Sequence, residues 1–196
     1  QKKSALDLGI LQAAAAANPR SEALALLLAR RLSTGGGAEE SAAVAGLQSF
    51  IARNGATTDR LYALSHLLSQ VGQDAAAEGT LQQVLTLLPT HRGANNDLGF
   101  YWAYAGRNLE QAEGMVKKAL EAEPDNGAYL DSLGWVYYKQ GRFTEALSCL
   151  DKALQTPDGQ SAEVVAHAAD ALFRAGRASE ATERWRQAQT LLNGED

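Results

Sequence analysis

The chain has 196 residues, 45% of them hydrophobic, so it carries enough apolar material to bury a core and is not a disordered segment. Its net charge of −5 comes from interspersed acids and bases, which excludes a basic face for nucleic acid or anionic lipid. The single cysteine, Cys149, excludes an intrachain disulfide and a cysteine-based metal site, and no apolar run approaches the roughly 20 residues that cross a bilayer.

Alanine and leucine dominate, aromatic residues make up 7%, and there are four prolines, a composition that favours helix throughout. The first residue is Gln rather than Met, and residues 1 to 20 lack a signal-peptide layout, so the chain reads as a fragment or processed product. In chain order, Ser4 to Ala17 has Leu6, Ile10, Leu11 and Ala14 at amphipathic spacing and is stopped by Asn18-Pro19. It looks like the second helix of a helix pair whose first member is missing. A helix over Ser21 to Leu32 ends at Gly35-Gly36-Gly37, and another over Glu39 to Arg53, with two acids in its first turn, ends at Asn54-Gly55.

From Asp59 the pattern becomes regular. Helices are predicted over Asp59 to Val71, Asp74 to Leu88, Gly93 to Ala105, Leu109 to Ala122, Ala128 to Gln140, Thr144 to Gln155, Ser161 to Ala175 and Ser179 to Leu192. Gly72, Gly106, Gly141 and Gly176 recur at spacings of 34, 35 and 35 residues and alternate with Pro89, Pro124 and Pro157. Glycine turns the chain within a pair, and proline, which cannot continue a helix, ends the pair. Leu98, Gly99, Trp102, Gly106, Ala112, Val116 and Ala119 return as Leu133, Gly134, Tyr137, Gly141, Ala146, Leu150 and Ala153. Such a period marks an array of helix pairs, each too small to bury its own apolar face.

The spacing also says where the pairs touch. Helices approach to about 8 to 10 Å only where side chains are small, a role that suits Gly99 and Gly134 facing Ala112, Ala119, Ala146 and Ala153. One extra residue sits between Gly106 and Ala112.

Leu-Gly, an aromatic three residues on, an alanine with a bulky residue four later and a closing proline resemble the tetratricopeptide repeat. The likeness is closest over residues 92 to 157, where L-G-W-V-Y-Y-K-Q-G from Leu133 to Gly141 is similar to that family's first helix. The resemblance implies an all-α fold, a right-handed α-solenoid running as one domain over 1–196. Its parts would be 1–19 (the second helix of a truncated repeat), 20–55 (a degenerate repeat), and repeats at 57–90, 92–125, 127–158 and 161–192. Asn95 and Leu130 stand where the family has its first large residue.

In that family, first helices line a concave groove that receives an extended peptide or a partner helix. Carried across, the groove-facing positions are Tyr62, His66 and Gln70; Asn96, Phe100 and Tyr104; Asp131, Trp135, Tyr138 and Lys139; and His167, Asp170, Phe173 and Arg174. Phe100, Tyr104, Trp135 and Tyr138 would form an aromatic patch able to anchor a peptide, or would cover the ridge between repeats. The lysine–asparagine–arginine clamp of chaperone-binding members is absent, and Asp97, Asp131 and Asp170 suit a ligand with basic or apolar character.

No enzyme is expected. His66, His91 and His167 fall in three separate repeats, Gly35-Gly36-Gly37 lacks the lysine and hydroxyl of a phosphate loop, and no nucleophile, base and orienter occur together. No cofactor or metal is expected. The expected role is a scaffold or adaptor for a protein or peptide partner, without nucleic acid or membrane insertion. Two further roles remain open: homo-oligomerisation through the terminal repeat faces, and service as the regulatory domain of a larger protein. Y-L-D-S-L-G-W-V and N-N-D-L-G-F are similar to bacterial members, many of them envelope-associated, which implies a bacterial cytoplasmic or periplasmic setting.

Overall fold

The computed structural model describes residues 2–194, with side chains described from residue 8 onward. Among the described residues there are eleven helices and no strand. α1 (Lys2–Ala17) packs against α2 (Glu22–Leu32), and the remaining helices form pairs. α2 pairs with α3 (Ala38–Asn54), α4 (Thr58–Gln70) with α5 (Asp74–Leu87), and α6 (Arg92–Tyr104) with α7 (Leu109–Ala122). α8 (Gly127–Lys139) pairs with α9 (Phe143–Ala153), and α10 (Ala162–Arg174) with α11 (Ala178–Asn193). The chain falls into two compact units that divide after Pro89, between the repeats expected at 57–90 and 92–125. Each is a short α-solenoid.

Within a pair the two helices start differently. Every first helix is capped by a side chain: Ser21, Thr57, His91, Asn126 and Ser161 each accept from the backbone N–H three residues on, at 3.1 to 3.4 Å. The second helices have no side-chain cap. They follow tight turns, in which Gly106 and Gly141 adopt φ of 68° and 78°, a left-handed conformation that costs a side chain 1–2 kcal/mol or so. The two residues that end each of these turns donate back into the helix, Gly106 to Ala103 and Arg107 to Trp102, both at 2.9 Å. Equivalent bonds recur after α4, α8 and α10. The extra residue before Ala112 is accommodated by Asn108, the one non-glycine residue with positive φ (52°) among those described.

The expected close approaches are present. A Cβ on Gly99 would lie 2.7 Å from Val116 Cγ2 and 3.0 Å from the Ala112 carbonyl oxygen; one on Gly134 would lie 2.7 Å from Leu150 Cγ. Ala112, Ala119, Ala146 and Ala153 are fully buried opposite them. In the first unit Leu47, Leu68, Leu81 and Val84 form the driest part of the core. There Arg60 ties three segments together: its guanidinium grips the Glu22 carboxylate through two 3.0 Å bonds and donates to the Asn54 and Gly55 carbonyls.

Helix ends differ from the sequence expectation by one or two residues. α9 stops at Ala153 rather than Gln155, because Thr156 turns the chain by bonding back to the Ala153 carbonyl. Gly159 then packs against that carbonyl, and Asp158 accepts from the Gly127 N–H at 3.0 Å. The face expected on α1 is not uniformly covered, since Ile10 is exposed; the Leu6 side chain lies outside the described residues.

Candidate functional site

The second unit sets first helices α6, α8 and α10 side by side, and α8 in the middle also contacts α7 and α9. Surrounded in this way, α8 is buried without interruption from Leu130 to Tyr137. Asp131 and Trp135, which the sequence places in the groove, are therefore only 7% and 8% exposed. Asp131 receives His167 of α10, with Nδ1 and Oδ1 2.8 Å apart. The His167 ring in turn lies stacked on Trp135, centroids 4.2 Å apart, and Trp135 stacks on Tyr138 at 4.7 Å and 10°. Phe100 of α6 comes within 6.4 Å of His167 and 6.3 Å of Tyr104. One chain of rings thus crosses three first helices, and its floor is a carboxylate hydrogen-bonded to one of those rings. Tyr104 is 69% exposed, while Phe100 and Tyr138 are half-buried.

Two cations rest on this strip. Lys139 Nζ lies 5.3 Å from the Trp135 ring, and the Arg174 guanidinium lies 5.9 Å from Tyr138 and 4.8 Å from Phe143. Asn96 sits one turn before Phe100 on α6 and is buried; its amide donates to Asp97 at 3.1 Å, but its Oδ1 has no partner. Trp135 Nε1 is likewise buried and unpartnered. Asp170 turns the other way, accepting from Trp185 Nε1 of α11 at 3.0 Å.

A polar network braces the ends of α7 and α8 beside the strip. Glu113 accepts from Lys117 (2.6 Å), Gln140 (3.0 Å) and Arg142 (2.8 Å). Burial pushes its carboxyl upward, but those hydrogen bonds and the Lys117 and Arg142 charges outweigh it and hold the group below the usual carboxylate range. The Arg142 guanidinium also covers Tyr137 at 4.1 Å.

In the first unit, Tyr62 and His66 meet edge to face at 4.5 Å. His66 and Gln70 line a groove of about 400 Å³ with Leu67 of α4, with Leu26 and Arg30 of α2 and with Ser33 at its C-terminal end. The α2 contribution was not anticipated, although the spacing of Leu26, Arg30 and Ser33 at i, i+4 and i+7 presents one helical face. Nor was the Asp131–His167 pair, since the two residues lie 36 positions apart. Among the described residues no three His, Cys, Asp or Glu side chains come together as a metal-ligand set, and no helix is long and apolar enough to cross a membrane.

A profile of the tetratricopeptide repeat matches residues 127–156, which hold the centre of this strip. The TPR repeat-containing protein PA4667 of Pseudomonas aeruginosa is 36% identical over 108 residues. Residues 127–156 thus match a tetratricopeptide repeat, and the chain is similar to a TPR repeat-containing protein beyond them. The match to PA4667 covers 55% of this chain but spans only 18% of that relative's length. Among solved structures, a tetratricopeptide repeat protein from Parabacteroides merdae superposes with a TM-score of 0.76 at 18% identity, over 94% of this chain and 72% of that one. TTC0263, a thermophilic TPR protein of Thermus thermophilus, gives 0.71 at 22% identity over 87% and 91%. MamA from Desulfovibrio magneticus gives 0.68 at 18% identity over 90% and 99%. These likenesses identify the fold, an α-solenoid of antiparallel helix pairs.

Proposed function

We propose that the tetratricopeptide-repeat chain captures an extended peptide segment of a partner protein along the aromatic strip of its second unit. The observation that carries this reading is the strip itself: rings from three successive first helices in mutual contact, with Tyr104 largely exposed. Aromatic anchors bury large area at little entropic cost. The unpaired Asn96 Oδ1 and Trp135 Nε1 add an acceptor and a donor, which a peptide amide complements once the side chains above them shift.

Selection of random dodecapeptides displayed on phage against the chain tests the proposal. Recovered peptides should bind a Tyr104→Ala/Tyr138→Ala variant roughly 30-fold more weakly, as for anchors worth about 2 kcal/mol, and bind a Glu121→Ala control unchanged. No enrichment over an unrelated helical protein, or equal binding to the double variant, refutes the reading. Trp135→Ala is the wrong probe, since removing a buried tryptophan costs about 3–5 kcal/mol of stability.

A second reading, self-association, is favoured by Phe173, Trp185 and Leu192, which leave apolar surface exposed on α10 and α11. Light scattering over a wide concentration range tests it: a constant monomeric mass sinks it, and dimerisation lost on Trp185→Ala/Leu192→Ala supports it.

A further inference from the structure

The charge of the ligand follows from which charged groups on the strip are already engaged. Of the three carboxylates that the sequence offers to a basic ligand, Asp131 is buried against His167, Asp170 holds Trp185 Nε1, and Asp97 accepts from Asn96. Lys139 and Arg174 are in the opposite condition. Each lies on an aromatic face, and among the described residues neither has a carboxylate partner. The two cations share one platform, since the Trp135 and Tyr138 rings beneath them are stacked 4.7 Å apart. A ring below a cation restrains the charged head and removes part of its water without neutralising it. The exposed Arg174 and the half-buried Lys139 are thus preorganised for an anion.

We propose that the partner segment is acidic, and that its Asp or Glu carboxylates pair with Lys139 and Arg174 while its apolar side chains lie on Phe100, Tyr104 and Tyr138. This rests on the peptide-capture reading above and gives its ligand a charge. Two cations set on adjacent helices suit a segment with carboxylates on alternate residues, which an extended strand presents on one side. Nucleic acid offers anions too, but the net charge of −5 opposes a polyanion, whereas a short acidic segment meets the two cations locally.

The displayed dodecapeptide library separates the outcomes. Peptides selected on the native chain should be enriched in Asp and Glu. Lys139→Ala or Arg174→Ala should weaken each recovered peptide about three- to fivefold, as for partly exposed ion pairs, with Lys139→Arg restoring most of the binding. Lys139→Glu/Arg174→Glu should turn the selection toward Lys and Arg. Circular dichroism melting of each variant shows whether the fold is kept. Peptides lost on Tyr104→Ala/Tyr138→Ala but enriched in Lys, Arg or neither charge leave peptide capture standing and overturn the acidic assignment. A library that yields no binder overturns both. Equal or tighter binding of a single-stranded oligothymidine, also lost with Lys139 and Arg174, overturns the acidic peptide in favour of nucleic acid.

Discussion

Two glycine-to-alanine substitutions six residues from the same turn should have opposite signs. In Gly99→Ala the new methyl would sit 2.7 Å from Val116 Cγ2 and 3.0 Å from the Ala112 carbonyl oxygen. Neither neighbour can yield cheaply. Val116 is fully buried and its branched side chain is held to one rotamer in a helix, while the carbonyl belongs to the α7 backbone. Overpacking of this kind costs about 1–3 kcal/mol, and a clash with two rigid neighbours belongs at the upper end. Alanine returns roughly 1 kcal/mol of helix propensity, leaving a net loss of about 2 kcal/mol. Gly114→Ala gains the same propensity on exposed α7, where nothing lies within 4 Å of the added methyl. It should stabilise by up to about 1 kcal/mol. Urea unfolding followed by circular dichroism at 25 °C measures both changes, and in thermal melts the two variants should lie some 6–12 °C apart. An unchanged or raised midpoint for Gly99→Ala would refute the claim that glycine is required by helix approach at this position.

Three further outcomes follow from individual contacts. Arg60→Ala should cost about 2 kcal/mol, because it strands the Glu22 carboxylate and the Asn54 and Gly55 carbonyls together, whereas loss of a purely solvated pair would cost under about 1 kcal/mol; urea midpoints decide between them. Glu113 keeps its charge to lower pH when folded than its ordinary value of 4.5. Its stabilisation is therefore complete above that value and is lost as pH falls through the lower folded one, so Glu113→Gln should flatten the loss of stability below about pH 5. An unaltered acid limb would show that the network contributes nothing. Burial raises the Cys149 thiol above its ordinary 9.0, so native alkylation by iodoacetamide at pH 8 should be several-fold slower than in denaturant; equal rates would contradict that burial.

The helices were legible because their signals are local. Ser21, Thr57, Asn126 and Ser161 cap the helices that follow them, and Gly106 or Gly141 closes the one before within a few bonds of the same backbone. The 35-residue displacement of Leu98-Gly99 to Leu133-Gly134 carried the pairing as well, since only small side chains allow that approach. The candidate strip was legible in outline: it draws on the first helices, and Phe100, Tyr104, Tyr138, Lys139 and Arg174 all take part in its ring and cation contacts.

Exposure and charge state were not legible, because both depend on neighbours far along the chain. Nothing near Trp135 in sequence says that α6 and α10 will enclose α8, yet that enclosure turns a prospective anchor into a buried ring under His167. The acidity of Asp97, Asp131 and Asp170 pointed to a ligand with basic or apolar character, whereas the fold engages each carboxylate internally and leaves Lys139 and Arg174 on the rings. Sequence by itself determined that this chain is a series of helix pairs, since caps, turns and small-residue contacts act over one repeat. Tertiary structure alone decided which groups the strip leaves accessible, since pairing, burial and stacking are settled between side chains that one or two repeats of chain keep apart.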